Sequence, residues 1–292
     1  MIFCILGYTF RISLTYFWSD TMEDGKRKEF IKNTFNTVAM GYDNPALRFF
    51  KKSAALIPQY FNFIGNEHVL DVATGTGNAA INLAKALTTG NVVGVDMSEG
   101  MLAEAKDKAE LNKLNNIEFI AMDMTNLTFP GDQFDGINCS YGLFFLEDMH
   151  SLLDHLVQKL KPGGKFVSCC FTENSFQPQT DLFFERIQQY GVEIPESVGF
   201  KRLASSEKST ALYQSAHLKN IKTFQHDVGC IQKDAKEWWD VVWYAGFRGF
   251  VNQLSENDLE KFKQEHLAEI SALSTDEGIP FEVGVIFTVG EK

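Results

Sequence analysis

The chain has 292 residues, of which 45% are hydrophobic and 22% are charged, a composition typical of globular proteins. This length fits one large α/β domain with an inserted cap, or two small domains. The formal net charge of -11 argues against nucleic acid as a partner, because DNA and RNA binding depends on Lys and Arg that neutralise phosphates. Five cysteines without Cys-x-x-Cys spacing predict a reducing compartment, the cytoplasm, and no metal site.

Residues 1–21 differ in composition from the rest of the chain. The segment is apolar and aromatic, but Arg11 interrupts it and would be costly inside a membrane span. It lacks the basic start and the small-residue cleavage site of a secretory signal. We therefore expect a non-native or flexible extension upstream of a natural start at Met22, and no stable membrane insertion.

Two helices are predicted in the N-terminal region, residues 22–65. Apolar side chains recur at helical spacing over 26–40. A second helix is predicted over 44–60, with Pro45 in its first turn, where a missing N–H is tolerated. Tyr42 lies in the turn between the two helices.

The next segment has the pattern of strand, glycine turn, helix and strand. An apolar run that contains Asp71 leads to the turn Gly75-Thr76-Gly77, and a helix-forming stretch, 79–87, follows. A second apolar run ends at Asp96, about 20 residues further on, the separation at which a Rossmann-type site places its ribose-binding acid. These features predict a nucleoside-binding βαβ unit.

Strands and helices continue to alternate through residue 171, which indicates a parallel, doubly wound sheet. After residue 171 the regular alternation stops. The further predicted elements are helices at 98–114, 149–160, 180–190, 206–217, 235–250 and 256–273, and strands at 117–121, 134–139, 165–171, 220–226 and 281–287. Ser98 is the expected N-cap of the first of these helices, and Pro162-Gly163-Gly164 is expected to end the second.

The identity of the nucleoside depends on Asp71. A carboxylate at this strand end would repel the pyrophosphate of a dinucleotide, whereas S-adenosylmethionine has no phosphate and carries an ammonium and a sulfonium. Gly75-Thr76-Gly77-Asn78-Ala79-Ala80 also satisfies the form that nicotinamide enzymes use. An NAD(P)-dependent oxidoreductase therefore stays open as an alternative on the glycines alone.

Two later landmarks complete a family pattern, Ala121-Met122-Asp123-Met124 and Leu160-Lys161-Pro162-Gly163-Gly164-Lys165. With them the chain resembles the class I S-adenosylmethionine-dependent methyltransferases, in the type 11 branch that includes the ubiquinone/menaquinone methyltransferases. The resemblance covers residues 35–171 well. It implies a Rossmann-like, doubly wound α/β fold with a seven-stranded sheet, an antiparallel last strand and an inserted helical lid. The expected divisions are 22–65 for the N-terminal helices, 66–172 for the cofactor-binding core, 173–219 for the lid and 220–292 for the completion of the sheet.

The cofactor S-adenosylmethionine is expected at the carboxyl ends of the strands. Asp71 and the backbone of the following turn would face the methionine ammonium, and Asp96 would accept from both ribose hydroxyls. Met97 and Met124 suit the adenine faces, and Asp123 would accept from the adenine amino group. The expected cofactor-binding residues are Tyr42, Asp71, Ala73, Thr74, Gly75, Gly77, Asp96, Met97, Asp123, Met124 and Ser140.

The methyl acceptor is less clearly indicated. The quinone-biosynthetic relatives typically carry Gly-Ile-Arg-Asn after the fourth strand, and this chain has Gly142-Leu143-Phe144-Phe145, which places quinone-ring methylation in doubt. We expect a small apolar or aromatic acceptor, methylated by in-line transfer governed by proximity, for which a dedicated base is not obligatory, and the catalytic residue stays unknown. The expected pocket residues are Tyr141, Phe144, Trp239, Trp243 and Arg248. The methylated atom, the oligomeric state and a non-catalytic, cofactor-binding role remain open.

Overall fold

The computed structural model describes residues 24–194 and 199–292, so the expectation for residues 1–21 lies outside the described residues. Nine strands are present in these two ranges. They are β1 (His68–Val72), β2 (Asn91–Asp96), β3 (Ile117–Ala121), β4 (Phe134–Ser140), β5 (Leu160–Phe171), β6 (Lys219–Asp227), β7 (Cys230–Gln232), β8 (Ile279–Phe281) and β9 (Gly284–Glu291).

Ten α-helices accompany these strands within the described ranges. They are α1 (Asp24–Val38), α2 (Arg48–Leu56), α3 (Asn78–Ala86), α4 (Glu99–Leu111), α5 (Met149–Val157), α6 (Gln179–Gln188), α7 (Ser206–Ser215), α8 (Ala235–Tyr244), α9 (Arg248–Val251) and α10 (Glu256–Ser271). The Ser98 hydroxyl accepts the N–H of Met101 at 3.2 Å and so caps α4 as predicted. None of the helices in these ranges is long and apolar enough to cross a bilayer.

The predicted seven-stranded sheet with an antiparallel last strand is confirmed. Its strand order is β3-β2-β1-β4-β5-β9-β6. Strands β1 to β5 pair in parallel, and β9 runs antiparallel to both β5 and β6. The central strand β1 is buried along most of its length, as expected of a parallel strand covered on both faces. The carboxyl ends of β1 to β4 therefore meet at one edge, beside the switch in strand order where ligands bind.

Three predicted elements differ from the structure. The segment 161–164 belongs to β5 instead of ending a helix, because Gly163 adopts φ +79 and its N–H bonds to the carbonyl of Lys292 beyond β9. The single helix predicted over 235–250 is two helices, because Ala245 takes an extended conformation. The strand predicted over 281–287 is divided between β8 and β9, and β8 pairs with β7 in a second, two-stranded sheet.

Candidate functional site

A cavity lies at the carboxyl ends of β1 to β4, where the strand order predicts a ligand site. The N-terminal helices α1 and α2 cover it and contribute part of its wall. Nearly all of the residues expected to bind the cofactor line this cavity. They are Tyr42, Asp71, Ala73, Thr74, Gly75, Asp96, Met97, Asp123, Met124 and Ser140. Their contacts with a cofactor stay predictions, and the structure shows that they surround one space.

Asp71 is a buried carboxylate held by two short hydrogen bonds. The Thr74 hydroxyl donates to one carboxylate oxygen at 2.5 Å, and the Asn138 amide donates to the other at 2.6 Å. Burial raises the pKa of Asp71 to about 6, although both hydrogen bonds oppose this shift. No ion pair within residues 24–194 and 199–292 includes Asp71. A buried acid in this state is suited to a cationic ligand.

The loop after β1 leaves space for a ligand at its backbone. Gly75 has φ +55, and a Cβ on it would meet no atom within 4 Å. Gly77, with φ +77, is different, because a Cβ there would lie 3.0 Å from Ala105 and from Phe119. Gly77 does not line the cavity. Glycine at position 77 lets this turn pack closely against α4 and β3. Glycine at position 75 instead leaves space open in the cavity.

Asp96, at the end of β2, fixes the geometry of the glycine loop. One carboxylate oxygen accepts the N–H of Gly75 at 2.9 Å, and the other accepts the N–H of Ser98 at 2.9 Å. Burial raises the pKa of Asp96, and these backbone hydrogen bonds oppose the shift. Each oxygen keeps a second lone pair, so the carboxylate can still accept from a ribose.

The end of β3 contributes an acid and apolar side chains. Asp123 forms an ion pair with Lys28 of α1 at 2.9 Å and accepts the N–H of Thr125 at 2.9 Å. Burial alone would raise the pKa of Asp123, but the hydrogen bonds from Thr125 and Lys28 lower it. Met97 and Met124, the residues expected at the adenine faces, line the cavity here together with Met122. Asp123 thus lines the cavity with one oxygen paired to Lys28 and the other accepting from Thr125, and its contact with adenine stays a prediction.

Aromatic side chains form the wall at the β4 end of the cavity. The ring of Phe50 stacks on Tyr42 with centroids 5.1 Å apart and meets Tyr141 edge-on at 5.1 Å. Phe35 contacts Tyr42 at 6.1 Å and Phe145 at 5.5 Å. Phe35, Tyr42, Phe50, Tyr141 and Phe145 all line the cavity, and we call them the aromatic wall. Burial and the nearby Asp96 and Asp43 raise the pKa of Tyr42 above its ordinary value.

Four residues expected in the acceptor pocket lie elsewhere. Phe144 is buried in a core cluster behind β4, and its neighbour Phe145 lines the cavity in its place. Trp239 stacks on Trp243 at 6.2 Å and packs against α10, away from the cavity. The Arg248 guanidinium lies 3.3 Å from the ring centre of Trp243 and is occupied by this contact. The expectation for Trp239 and Trp243 is corrected because α8 packs its aromatic face against α10.

The sequence reasoning missed the residues that α1 and α2 supply to the cavity. Lys28, Phe35, Phe50 and Ser53 come from helices that precede all of the family landmarks. Their apolar spacing predicted helices but did not say which face would cover a ligand. The segment 173–219, expected as the lid, contributes no described residue to the cavity wall.

Comparison with known proteins agrees with this geometry. A family model described as a methyltransferase domain matches residues 69–164. The chain is 34% identical to a demethylmenaquinone methyltransferase of Staphylococcus saprophyticus over 175 residues, 58% of this chain and 72% of the relative. It is 31% identical to the ubiquinone/menaquinone biosynthesis C-methyltransferase UbiE of Rickettsia massiliae over 205 residues, 66% of this chain and 79% of the relative.

A solved structure supports the fold alone. The phosphoethanolamine N-methyltransferase 2 of Haemonchus contortus, in complex with phosphomonomethylethanolamine and S-adenosylhomocysteine, superposes with a TM-score of 0.56 at 16% identity. The match covers 91% of this chain and 59% of that one. Together with the two relatives, the fold and the cavity define a class I S-adenosylmethionine-dependent methyltransferase. The chain belongs to the type 11 branch of this family, with S-adenosylmethionine as its cofactor, and the oxidoreductase and non-catalytic alternatives are not supported.

Proposed function

We propose that this enzyme methylates a small, neutral aromatic molecule held against the aromatic wall. The observation that carries the proposal is the separation of charge within the cavity. The charged residues that line it are Lys28, Asp71, Asp96 and Asp123, and the three acids lie at or just beyond the carboxyl ends of β1, β2 and β3. The wall beside β4 is aromatic. A charged acceptor would lose its hydration there without a partner, whereas a neutral aromatic ring would bury apolar surface.

The cofactor would occupy the acidic end and the acceptor the aromatic end. When bound, S-adenosylmethionine supplies the methyl group of its sulfonium and leaves as S-adenosylhomocysteine. The acceptor gains this methyl group and releases its proton to water. Asp71 would pair with the ammonium of the cofactor, and Asp96 would accept from the ribose hydroxyls. These contacts would fix the cofactor at the β1 and β2 ends, so that its sulfur points toward Ser140 and Tyr141.

Among the described residues that line the cavity, the titratable groups outside its acidic end are the phenols of Tyr42 and Tyr141, and burial raises the pKa of both. Neither can serve as a base near neutral pH. We infer that catalysis relies on orientation, as expected for in-line displacement with a good leaving group. The acceptor must then carry a nucleophilic atom that is reactive without a protein base.

The named activities of the relatives suggest the first acceptors to test. Both relatives act on quinone precursors according to their names. A reduced, hydroxylated naphthoquinone is therefore a suitable member of a panel with neutral phenols and charged benzoates. The position that carries arginine in many quinone methyltransferases is Phe144 here, and this residue lies outside the cavity. Quinol methylation by this enzyme would proceed without that arginine.

The test measures transfer of labelled methyl groups from S-adenosylmethionine to this panel. We expect transfer to neutral aromatic acceptors and none to benzoates. Phe145→Leu should lower kcat/KM for the acceptor about tenfold, since an aromatic contact and part of the pocket wall are lost, while S-adenosylhomocysteine affinity is kept. Phe144→Leu is the matched control, because this neighbour is buried outside the cavity. Transfer to benzoates, or equal effects of both variants, would contradict the proposal.

Three further expectations accompany this function. We propose the cytoplasm as the compartment, supported by the buried, unpaired thiols of Cys139, Cys169 and Cys170. We propose that nucleic acid is not a substrate, because the net charge is -11. We retain 66–172 as the cofactor-binding core and 220–292 as the completion of the sheet.

A further inference from the structure

One polar pair interrupts the aromatic wall. Ser53, on α2, and Tyr141, immediately after β4, both line the cavity. The Tyr141 hydroxyl donates to the Ser53 hydroxyl oxygen at 2.9 Å. Tyr141 holds φ +58, a left-handed conformation that costs a residue with a Cβ some strain. The ring is fixed by contacts with Phe50 at 5.1 Å and Phe171 at 4.6 Å.

Both protons of this pair are already committed to protein acceptors. The Ser53 hydroxyl donates within its own helix, to the carbonyl of Phe49 at 2.9 Å and that of Phe50 at 3.1 Å. The Tyr141 proton goes to Ser53. Burial raises the pKa of Tyr141 well above its ordinary value, so the phenol keeps its proton at neutral pH. Cys169 also interacts with Tyr141, and its thiol is only a weak hydrogen-bonding partner.

The two hydroxyls can therefore accept further hydrogen bonds but have no proton left to donate. A hydroxyl oxygen has two lone pairs, and the Ser53 oxygen uses one for Tyr141. The phenol oxygen of Tyr141 likewise retains acceptor capacity. A ligand that offers a hydrogen-bond donor can satisfy these oxygens, whereas a ligand that offers only an acceptor would leave its own oxygen unpaired beside them.

We propose that Ser53 and Tyr141 determine specificity, selecting a neutral aromatic acceptor that carries a hydroxyl or N–H donor on its ring. The proposal rests on the proposed function, because it assigns the polar contact of the same acceptor site. It does not require that the donor group is the atom methylated. The pair would fix the orientation of the ring relative to Ser140 and the cofactor.

The test uses three ligands of nearly equal shape, 2-naphthol, 2-methoxynaphthalene and naphthalene. Their dissociation constants are measured in the presence of saturating S-adenosylhomocysteine. In the unmodified enzyme, 2-naphthol should bind about five- to tenfold more tightly than 2-methoxynaphthalene, the ratio typical of one net hydrogen bond.

Ser53→Ala provides the decisive variant, because it frees the Tyr141 proton without touching the aromatic wall. The preference for 2-naphthol should then shrink to less than about twofold, because the oxygens of 2-naphthol and of 2-methoxynaphthalene can both accept the freed Tyr141 proton. Combining Ser53→Ala with Tyr141→Phe should make the three ligands bind equally. Ser209→Ala is the matched control, since that buried serine donates to the carbonyl of Leu203 and does not line the cavity. It should leave the order of affinities unchanged.

The possible failures are distinguishable. Equal binding of the three ligands, or a preference that Ser53→Ala leaves unchanged, would overturn the assignment of the pair and leave the aromatic acceptor site standing. Binding of none of them, with normal S-adenosylhomocysteine binding, would overturn both this inference and the proposed acceptor class.

Discussion

The ionisation of Asp71 should control cofactor affinity within the pH range where most enzymes are assayed. Its carboxylate is buried, and its pKa is raised to about 6. Because we propose that the ammonium of the cofactor pairs with the ionised form, binding should weaken as pH falls and Asp71 gains a proton. The perturbation is a change from about pH 7 to about pH 5, a range in which an amino group stays protonated.

The size of the effect follows from the pKa. With a value of about 6, roughly nine-tenths of Asp71 is ionised at pH 7 and roughly one-tenth at pH 5. The dissociation constant of S-adenosylhomocysteine should therefore rise about tenfold, which corresponds to about 1.4 kcal/mol. Calorimetry measures this constant directly. At about pH 6 it should also detect proton release, as a binding enthalpy that depends on the ionisation enthalpy of the buffer.

The control separates Asp71 from its neighbour Asp96, whose pKa is also raised by burial. In Asp71→Asn the affinity should be lower at every pH, by about tenfold or more for one lost charge-assisted contact. Its dependence on pH should be much flatter. A dissociation constant that does not change between the two pH values would refute the reasoning. So would a pH dependence that survives unchanged in Asp71→Asn.

Three other predictions test the site and the fold. Gly75→Ala should abolish S-adenosylhomocysteine binding, measured by calorimetry, because its Cβ enters the cavity. Gly163→Ala is the control, since Gly163 also has a positive φ, +79, and open space at its Cβ position. It should lower only the stability, measured by urea unfolding. Asn138→Leu should move the pH midpoint of binding above that of the unmodified enzyme, because it removes a hydrogen bond that stabilises ionised Asp71; an unchanged midpoint would contradict the assignment. Burial lowers the pKa of His266 to about 4, so the unfolded chain binds more protons between about pH 6.5 and 4. As the pH is lowered through this range, the free energy of unfolding should fall by up to about 3 kcal/mol more in the unmodified protein than in His266→Gln. Urea midpoints that change equally with pH in the two proteins would contradict this prediction.

The cofactor end of the cavity could be predicted from the sequence because its residues are local to the strand ends. Asp71 and Gly75 follow β1 directly, and Asp96 ends β2, so short spacing in the chain fixes their positions. The parallel pairing of these strands then places their carboxyl ends side by side, independently of how the later segments pack. The antiparallel position of β9 came from the family resemblance instead.

The acceptor end could not be predicted in the same way, because it depends on packing between distant segments. Phe50 and Tyr141 are in contact although they are far apart in the chain. The pattern of α8 correctly indicates a helix with an aromatic face. A helix with such a face can cover a ligand or another helix, and Trp239 packs against α10. The sequence also could not show which of the adjacent residues Phe144 and Phe145 faces the cavity, because the local 3₁₀ geometry decides this.

The cover formed by α1 joins the two ends of the cavity. At the cofactor end, Lys28 pairs with Asp123 at 2.9 Å, and at the acceptor end Phe35 contacts Phe145 at 5.5 Å. Asn36, on the same helix, accepts the N–H of Gly100 at 3.0 Å and so fixes α1 to the start of α4. Because one helix makes all three contacts, a displacement of α1 would expose both the expected adenine position and the aromatic wall. The ion pair between Lys28 and Asp123 contributes about 1 kcal/mol or less to the attachment of α1, because both side chains are partly exposed.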